Sequence, residues 1–481
     1  MKIRALLAAG AVLLLAAGCA ERETGPLRVS AIGAAPAIAN PNLIPLDAPA
    51  AFLFEATAQG LVRFNAEGEI EPALAQSWIV SDDGLRYTFR LRRTEWVGGG
   101  KVTAEQVVAR LRSTLGRVSR NPLKPIFGLV RSIEAMTEEV LEIELRAPRT
   151  RFLDLLAQPE LAILAGTRGT GPYMAEPAPD GSLLLSLPAP EDEEDSAEVS
   201  PIALRGDRAS SAIARFMAGG ADLVLGGTVG DLPLARAAEP PDAALQFDPV
   251  AGLFGFVFQR AEGALAAPET RRALAMAVDR DGIVAALAVP GLLPRSTLLP
   301  PGLEEVPQPA APDWAGAPLL VRRQQAAQAI PAATDGVPLR LRVAMPEGPG
   351  HRIVFAHLRR DWRAIGVEAE RVAADADADL RFVDSVAPAM MTAWYLRHFT
   401  CDRSRLCSTE VDAALAAARE TPSVAERRAL LGKADGLIRD ATLFVPIAAP
   451  VRWSLVSPRL TGFRRNMFGR HAPGELIARA R

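Results

Sequence analysis

The sequence predicts an α/β protein, and three observations carry that prediction. Residues 87–92 (YTFRLR) and 141–146 (LEIELR) alternate apolar and polar side chains with period two, the pattern of half-buried strands. Other segments repeat their apolar residues at helical spacing and lie interleaved with the strand candidates. The chain has 481 residues and 49% hydrophobic composition, enough for two or three domains with a sizeable core.

Further strands are expected at 27–32, 183–187, 221–225, 253–258, 339–344 and 380–383. Helices are expected at 104–115, 208–217, 269–278, 353–365, 411–419 and 424–439. Three of these starts carry capping-box spacing, in which a Ser or Thr side chain and a Glu, Gln or Asp three residues on satisfy each other's backbone donors: Thr103 with Gln106, Thr409 with Asp412, and Ser423 with Glu426. Two stretches are irregular. Residues 191–195 (EDEED) read as a solvated acidic loop, and 290–318 is proline-rich and aperiodic, either a linker or a long loop packed on a domain.

Residues 95–111 (EWVGGGKVTAEQVVARL) superficially resemble a phosphate-binding loop. The spacing excludes it. The position four before the Gly-Lys pair is Glu95 where a glycine is required, and Val102 follows the lysine where Ser or Thr must bind the metal. A glycine turn leading into a capped helix accounts for the segment.

At the N-terminus a short basic stretch precedes an uncharged apolar run, residues 5–17, ending in Leu15-Ala16-Ala17-Gly18-Cys19. The run is too short to span a bilayer and reads as a signal peptide. The small-small-Cys ending resembles a bacterial lipobox, so Cys19 is expected to be lipidated. The remaining two cysteines, Cys401 and Cys407, are expected to form a disulfide in an oxidising compartment. Net charge is −2, with no basic cluster of the kind nucleic-acid binding requires. The four histidines are not at metalloprotease spacing, and neither G-x-S-x-G nor C-x-x-C occurs. No catalytic residue, metal site or cofactor is therefore assigned.

Several segments, in order, resemble one family. They are 55–64 (EATAQGLVRF), 71–78 (EPALAQSW), 81–91 (SDDGLRYTFRL), 102–108 (VTAEQVV), 169–173 (GTGPY), 271–280 (RRALAMAVDR), 408–412 (STEVD) and the stretch from Pro446 to Phe463. Together they are similar to family 5 extracellular solute-binding proteins of ABC importers, the peptide- and nickel-binding group. The resemblance implies a type II periplasmic-binding-protein fold: two lobes joined by hinge strands, with an extra inserted domain. On that pattern residues 1–18 are the signal peptide and 19–26 a lipid-anchored spacer. Lobe I takes 27–44, 165–246 and 449–481; the second domain, inserted in it, takes 45–164; lobe II takes 247–448. It implies a non-enzymatic, monomeric receptor in the periplasm or cell envelope that closes on a peptide or similar small polar solute and hands it to inner-membrane permease subunits. A nickel or metal-chelate receptor, or an envelope lipoprotein that has lost transport, remains open. Residues 382–388 (FVDSVAP) stand where members carry a segment like A-D-Y-P-D-P, with Ser385 and Ala387 replacing an aromatic and an acid. Asp384 matches the family aspartate that pairs with a ligand's α-amino group, so it is the candidate ligand-binding residue.

Overall fold

The computed structural model describes residues 25–188, 200–334 and 337–476. The signal peptide, Cys19 and the 191–195 acidic run lie outside them.

Strands with period-two burial assemble into separate sheets. Leu27–Ile32 lies near the middle of a seven-stranded sheet, parallel to Ile202–Asp207 on one side and Leu223–Thr228 on the other. Arg452–Val456 returns antiparallel to Leu223–Thr228, so the C-terminal part of the chain closes a sheet begun at the N-terminus. A second sheet has five strands in the order Val367–Val372, Leu339–Ala344, Leu380–Val386, Gly252–Phe258, Phe444–Pro446. Its strand Gly252–Phe258 is buried along its whole length, as its unbroken run of glycine and apolar residues requires. A third sheet of four antiparallel strands falls within 75–145, and the helix Ala104–Leu115 packs on it through Val107, Val108 and Leu111. That helix opens with the expected capping box between Thr103 and Gln106, and Gly98, Gly99 and Gly100 all take positive φ in the preceding turn.

The chain crosses between the seven- and five-stranded sheets at 248–251 and again at 447–451. Short connections of this kind let two sheets rotate while each keeps its own hydrogen bonds.

Sequence and structure differ in instructive places. The strand expected at 380–383 continues to Val386, because Asp384, Ser385 and Val386 keep the register opposite Phe254, Leu253 and Gly252. The cap expected at Thr409 is Ser408, whose hydroxyl accepts from the Glu410 N–H. The proline-rich stretch 290–318 is a packed loop. Leu299 and Leu303 are fully buried, and Trp314 lies against the guanidinium of Arg280 at 5.1 Å.

Candidate functional site

A cavity of about 570 Å³ opens between the two larger sheets and the inserted segment. A depression of about 690 Å³ also exists, but elements of the seven-stranded sheet and its flanks line it alone. The first cavity is lined from both sides of the crossings, and therefore changes shape when the sheets rotate.

One wall is the helix Ala48–Thr57. Asp47 caps it, accepting from Ala50 N–H at 3.0 Å and from Ala34 N–H at 2.8 Å. Phe52, Leu53, Phe54 and Ala56 are buried, so the helix is held on nearly all sides, and Glu55 is its sole ionisable residue. The GTGPY turn clamps its C-terminal end. A Cβ on Gly169 would sit 1.9 Å from the Thr57 carbonyl oxygen, and one on Gly171 would sit 2.3 Å from the Thr57 carbonyl carbon. Only glycine permits this approach, which lets Gly171 N–H and Tyr173 N–H donate to Thr57 and Ala56. The motif thus fixes the helix that carries Glu55.

Glu55 lines the cavity and has no hydrogen bond or ion pair among the described residues. Burial pushes its carboxyl up to about 7, against the attraction of Arg470 and His471, while Glu160 adds to the rise. Beside it, Arg470 donates to Glu160 Oε1 at 3.0 Å; the second oxygen of Glu160 is buried without a partner. His471 faces Asp248 at 3.2 Å, and Phe463 stacks on its ring. Gln158 donates to the Pro388 carbonyl, and its own oxygen is also buried and unpartnered.

The opposite wall comes from the five-stranded sheet. Asp384 lines the cavity, where the sequence placed its role, but its carboxylate accepts from Arg452 Nη1 at 2.7 Å, and Arg452 Nη2 also reaches the Asp384 carbonyl at 3.3 Å. The two side chains are 12% and 20% exposed, so this pair is largely withdrawn from water. It joins a strand of one sheet to the first residue of Arg452–Val456 in the other, just past a crossing. Further along, Thr392–Leu396 and the turn Arg397–Phe399 bury Trp394, Tyr395, Leu396 and Phe399, which leaves Arg397 and His398 on the cavity side. Burial holds His398 below the usual imidazole range, its Nδ1 lies 2.9 Å from the Trp394 carbonyl, and it stays neutral near pH 7. The Arg397 guanidinium has no hydrogen-bond or ion-pair partner among the described residues. Burial first, and then the like charges of Arg419, Arg403 and Arg149, depress its pKa to about 10, although Asp402 favours its charge. A disulfide joins Cys401 to Cys407, with Cα atoms 5.1 Å apart, and closes the loop that carries Arg403 along the same wall.

A sequence model of "Bacterial extracellular solute-binding proteins, family 5 Middle" matches residues 69–402, more than half of the chain. The chain belongs to that family. Heme-binding protein A of Haemophilus influenzae is 22% identical, the alignment covering 98% of each chain. Solved structures of family 5 proteins share the two-lobed fold. Haemophilus influenzae OppA in complex with RPPGFSPFR superposes with a TM-score of 0.81 at 17% identity, covering 94% of this chain and 99% of that one. The murein tripeptide binding protein MppA of Escherichia coli gives 0.79 at 19% identity, covering 92% and 97%. At such identities these likenesses establish the fold and leave the ligand to be read from the cavity. Among the described residues no helix is long and apolar enough to cross a membrane, and no cluster of His, Cys, Asp or Glu is placed to hold a metal ion.

Glu55, Glu160, Arg397, Arg452 and Arg470 were not singled out as site residues by the sequence. One signal existed for Glu55: a lone charge in an otherwise apolar helix is held against desolvation, and function is a common reason. Arg397 and Arg452 carried none, because an arginine's pairing is decided by tertiary neighbours.

Proposed function

We propose that this chain is the substrate-binding component of an ABC importer, capturing a peptide or similar small polar solute between its lobes and delivering it to membrane permease subunits. The observation that carries this is the cavity: it is lined by both sheets, lies beside the two crossings, and presents charged groups of both signs. Rotation about the crossings would exclude water and strengthen each polar contact inside. The structural neighbours solved with a peptide or named for binding one point the same way. We propose the crossings at 248–251 and 447–451 as the hinge, the first starting one residue past the boundary expected at 246/247 and the second spanning the one expected at 448/449. Native mass spectrometry of freshly purified protein should reveal a trapped small solute released on denaturation. Ligand-free protein that also fails to become more compact in small-angle scattering with any peptide pool would count against the receptor.

We further propose that the receptor acts as a monomer in the periplasm or cell envelope, tethered through lipidated Cys19. Cys19→Ser should move it from the membrane to the soluble fraction. A wild-type protein already soluble with an unmodified N-terminus would remove the anchor from the scheme.

A further inference from the structure

The cavity's charged groups divide into those already satisfied and those left open. Asp47 is engaged in capping its helix, Asp384 is paired with Arg452, and one oxygen of Glu160 is paired with Arg470. Glu55 has no bonded partner, and the other Glu160 oxygen is buried without one. On the wall from the other lobe, Arg397 has no partner among the described residues and is surrounded by further arginines. Behind it, Arg427 is paired through Nε with Glu305 at 2.9 Å, but Arg427 Nη1 and Arg419 Nε are buried without a partner, so the arginines there outnumber the carboxylates that face them. A half-buried charge without a partner is destabilising, and Glu55 and Arg397 line one cavity, with the exposed Arg403 adding a further positive charge to the Arg397 side.

We infer that the ligand is zwitterionic, with its ammonium group held by Glu55 and the open oxygen of Glu160, and its carboxylate held by Arg397. This rests on the receptor reading above and moves the ammonium site away from Asp384. Asp384 already has a cation, and an ammonium would have to displace Arg452 to reach it. At Glu55 it displaces nothing. The helix that carries Glu55 packs on the seven-stranded sheet, and Arg397 stands on the opposite wall, so a molecule with opposite charges at its ends bridges the two walls and stabilises their approach. Charge-assisted bonds of this type are strong when water is excluded.

Glu55 also makes the affinity depend on pH. Arg470 and His471 attract its charged form and Glu160 opposes it, while Asp248 faces His471 from behind. Ammonium binding requires ionised Glu55, so affinity should fall about fourfold from pH 8 to pH 6: protonation of the carboxyl outweighs the fuller protonation of the peptide's α-amino group, whose own pKa is near 8.

The test uses three pools of synthetic tetrapeptides: free at both ends, N-acetylated, and C-amidated, each titrated by calorimetry into the full mature domain. Wild type should bind the free pool more than tenfold tighter than either blocked pool. Glu55→Gln should abolish the preference for free over acetylated, with its pH dependence, and Arg397→Gln the preference for free over amidated. Equal binding of free and acetylated pools by wild type overturns the ammonium site. Unchanged preferences in both variants overturn the assignment while leaving the receptor reading intact. If Asp384→Asn alone removes the free-amine preference, the ammonium belongs at Asp384. Binding of no pool overturns the inference, and native mass spectrometry then judges the receptor reading separately.

Discussion

Two arginines in the same lobe show how differently one residue type can be used. Arg280 is 4% exposed, yet its guanidinium donates to the carbonyls of Pro446, Ala275 and Val278 and stacks on Trp314. Arg271 does the same with Ala441, Leu265 and Ala266. These buried cations gather backbone carbonyls at helix ends and beside a crossing, where the regular ladder of backbone hydrogen bonds stops. Arg397 is less buried and has no such partners. The difference separates charges that hold the fold from charges the fold holds open, and it should appear as opposite responses to mutation.

The largest effect is expected at Arg280. Arg280→Met keeps the apolar stem and removes every donor, leaving the buried Pro446 and Ala275 carbonyls short of a partner. Chemical denaturation should show a loss of about 2–4 kcal/mol. Arg397→Gln should leave the midpoint unchanged or raise it, because a neighbour of Arg419, Arg403 and Arg149 loses its charge. If both variants lose stability equally, the distinction between them fails.

Glu55 sharpens the same contrast through pH. Its pKa rises from an ordinary 4.5 to about 7 on folding, so between those values the native state holds a proton that the unfolded state has lost. Stability contributed by this residue therefore falls as pH climbs through that window, and the deficit is complete above pH 7. Glu55→Gln removes the deficit. Thermal unfolding at pH 8 should find the variant more stable by about 2–3 kcal/mol, with the gain vanishing near pH 4. A variant that is more stable and has lost the preference for a free amine is the signature of a group kept for function. A loss of stability at pH 8 would mean that Glu55 has a structural partner.

Much of the fold was legible because it rests on local rules. The helix Ala104–Leu115 and the strand Leu339–Ala344 have the limits expected from periodicity, and the Thr103 cap lies where its spacing put it. The site was less legible. The helix Ala48–Thr57 is apolar on nearly every face, so it has no amphipathic stripe for periodicity to detect. The strand Leu380–Val386 outruns its apolar stretch because pairing with Gly252–Phe258 overrides side-chain polarity. Asp384 was found by resemblance, but Arg452, 68 positions away, was not. Which charges pair across such a distance is decided by topology, and only after pairing is it clear which ones are left over.

The smallest effect is expected at Asp384, and it bears most directly on the comparison. If Asp384 is on the structural side with Arg280, its task is to neutralise Arg452 where the chain enters Arg452–Val456 from a crossing. Asp384→Asn keeps the shape and a hydrogen-bond acceptor but removes the charge. The Asn oxygen still accepts from Arg452, so the variant should lose only about 1–2 kcal/mol. Arg452 would then carry an uncompensated charge into the cavity, mildly repelling a ligand ammonium at Glu55. Calorimetry with the free tetrapeptide pool should find affinity reduced by less than about tenfold, while Glu55→Gln exceeds that. A larger loss at Asp384 than at Glu55, with stability untouched, would place Asp384 among the charges held open for ligand and make Arg452 the group that moves aside when the ligand binds.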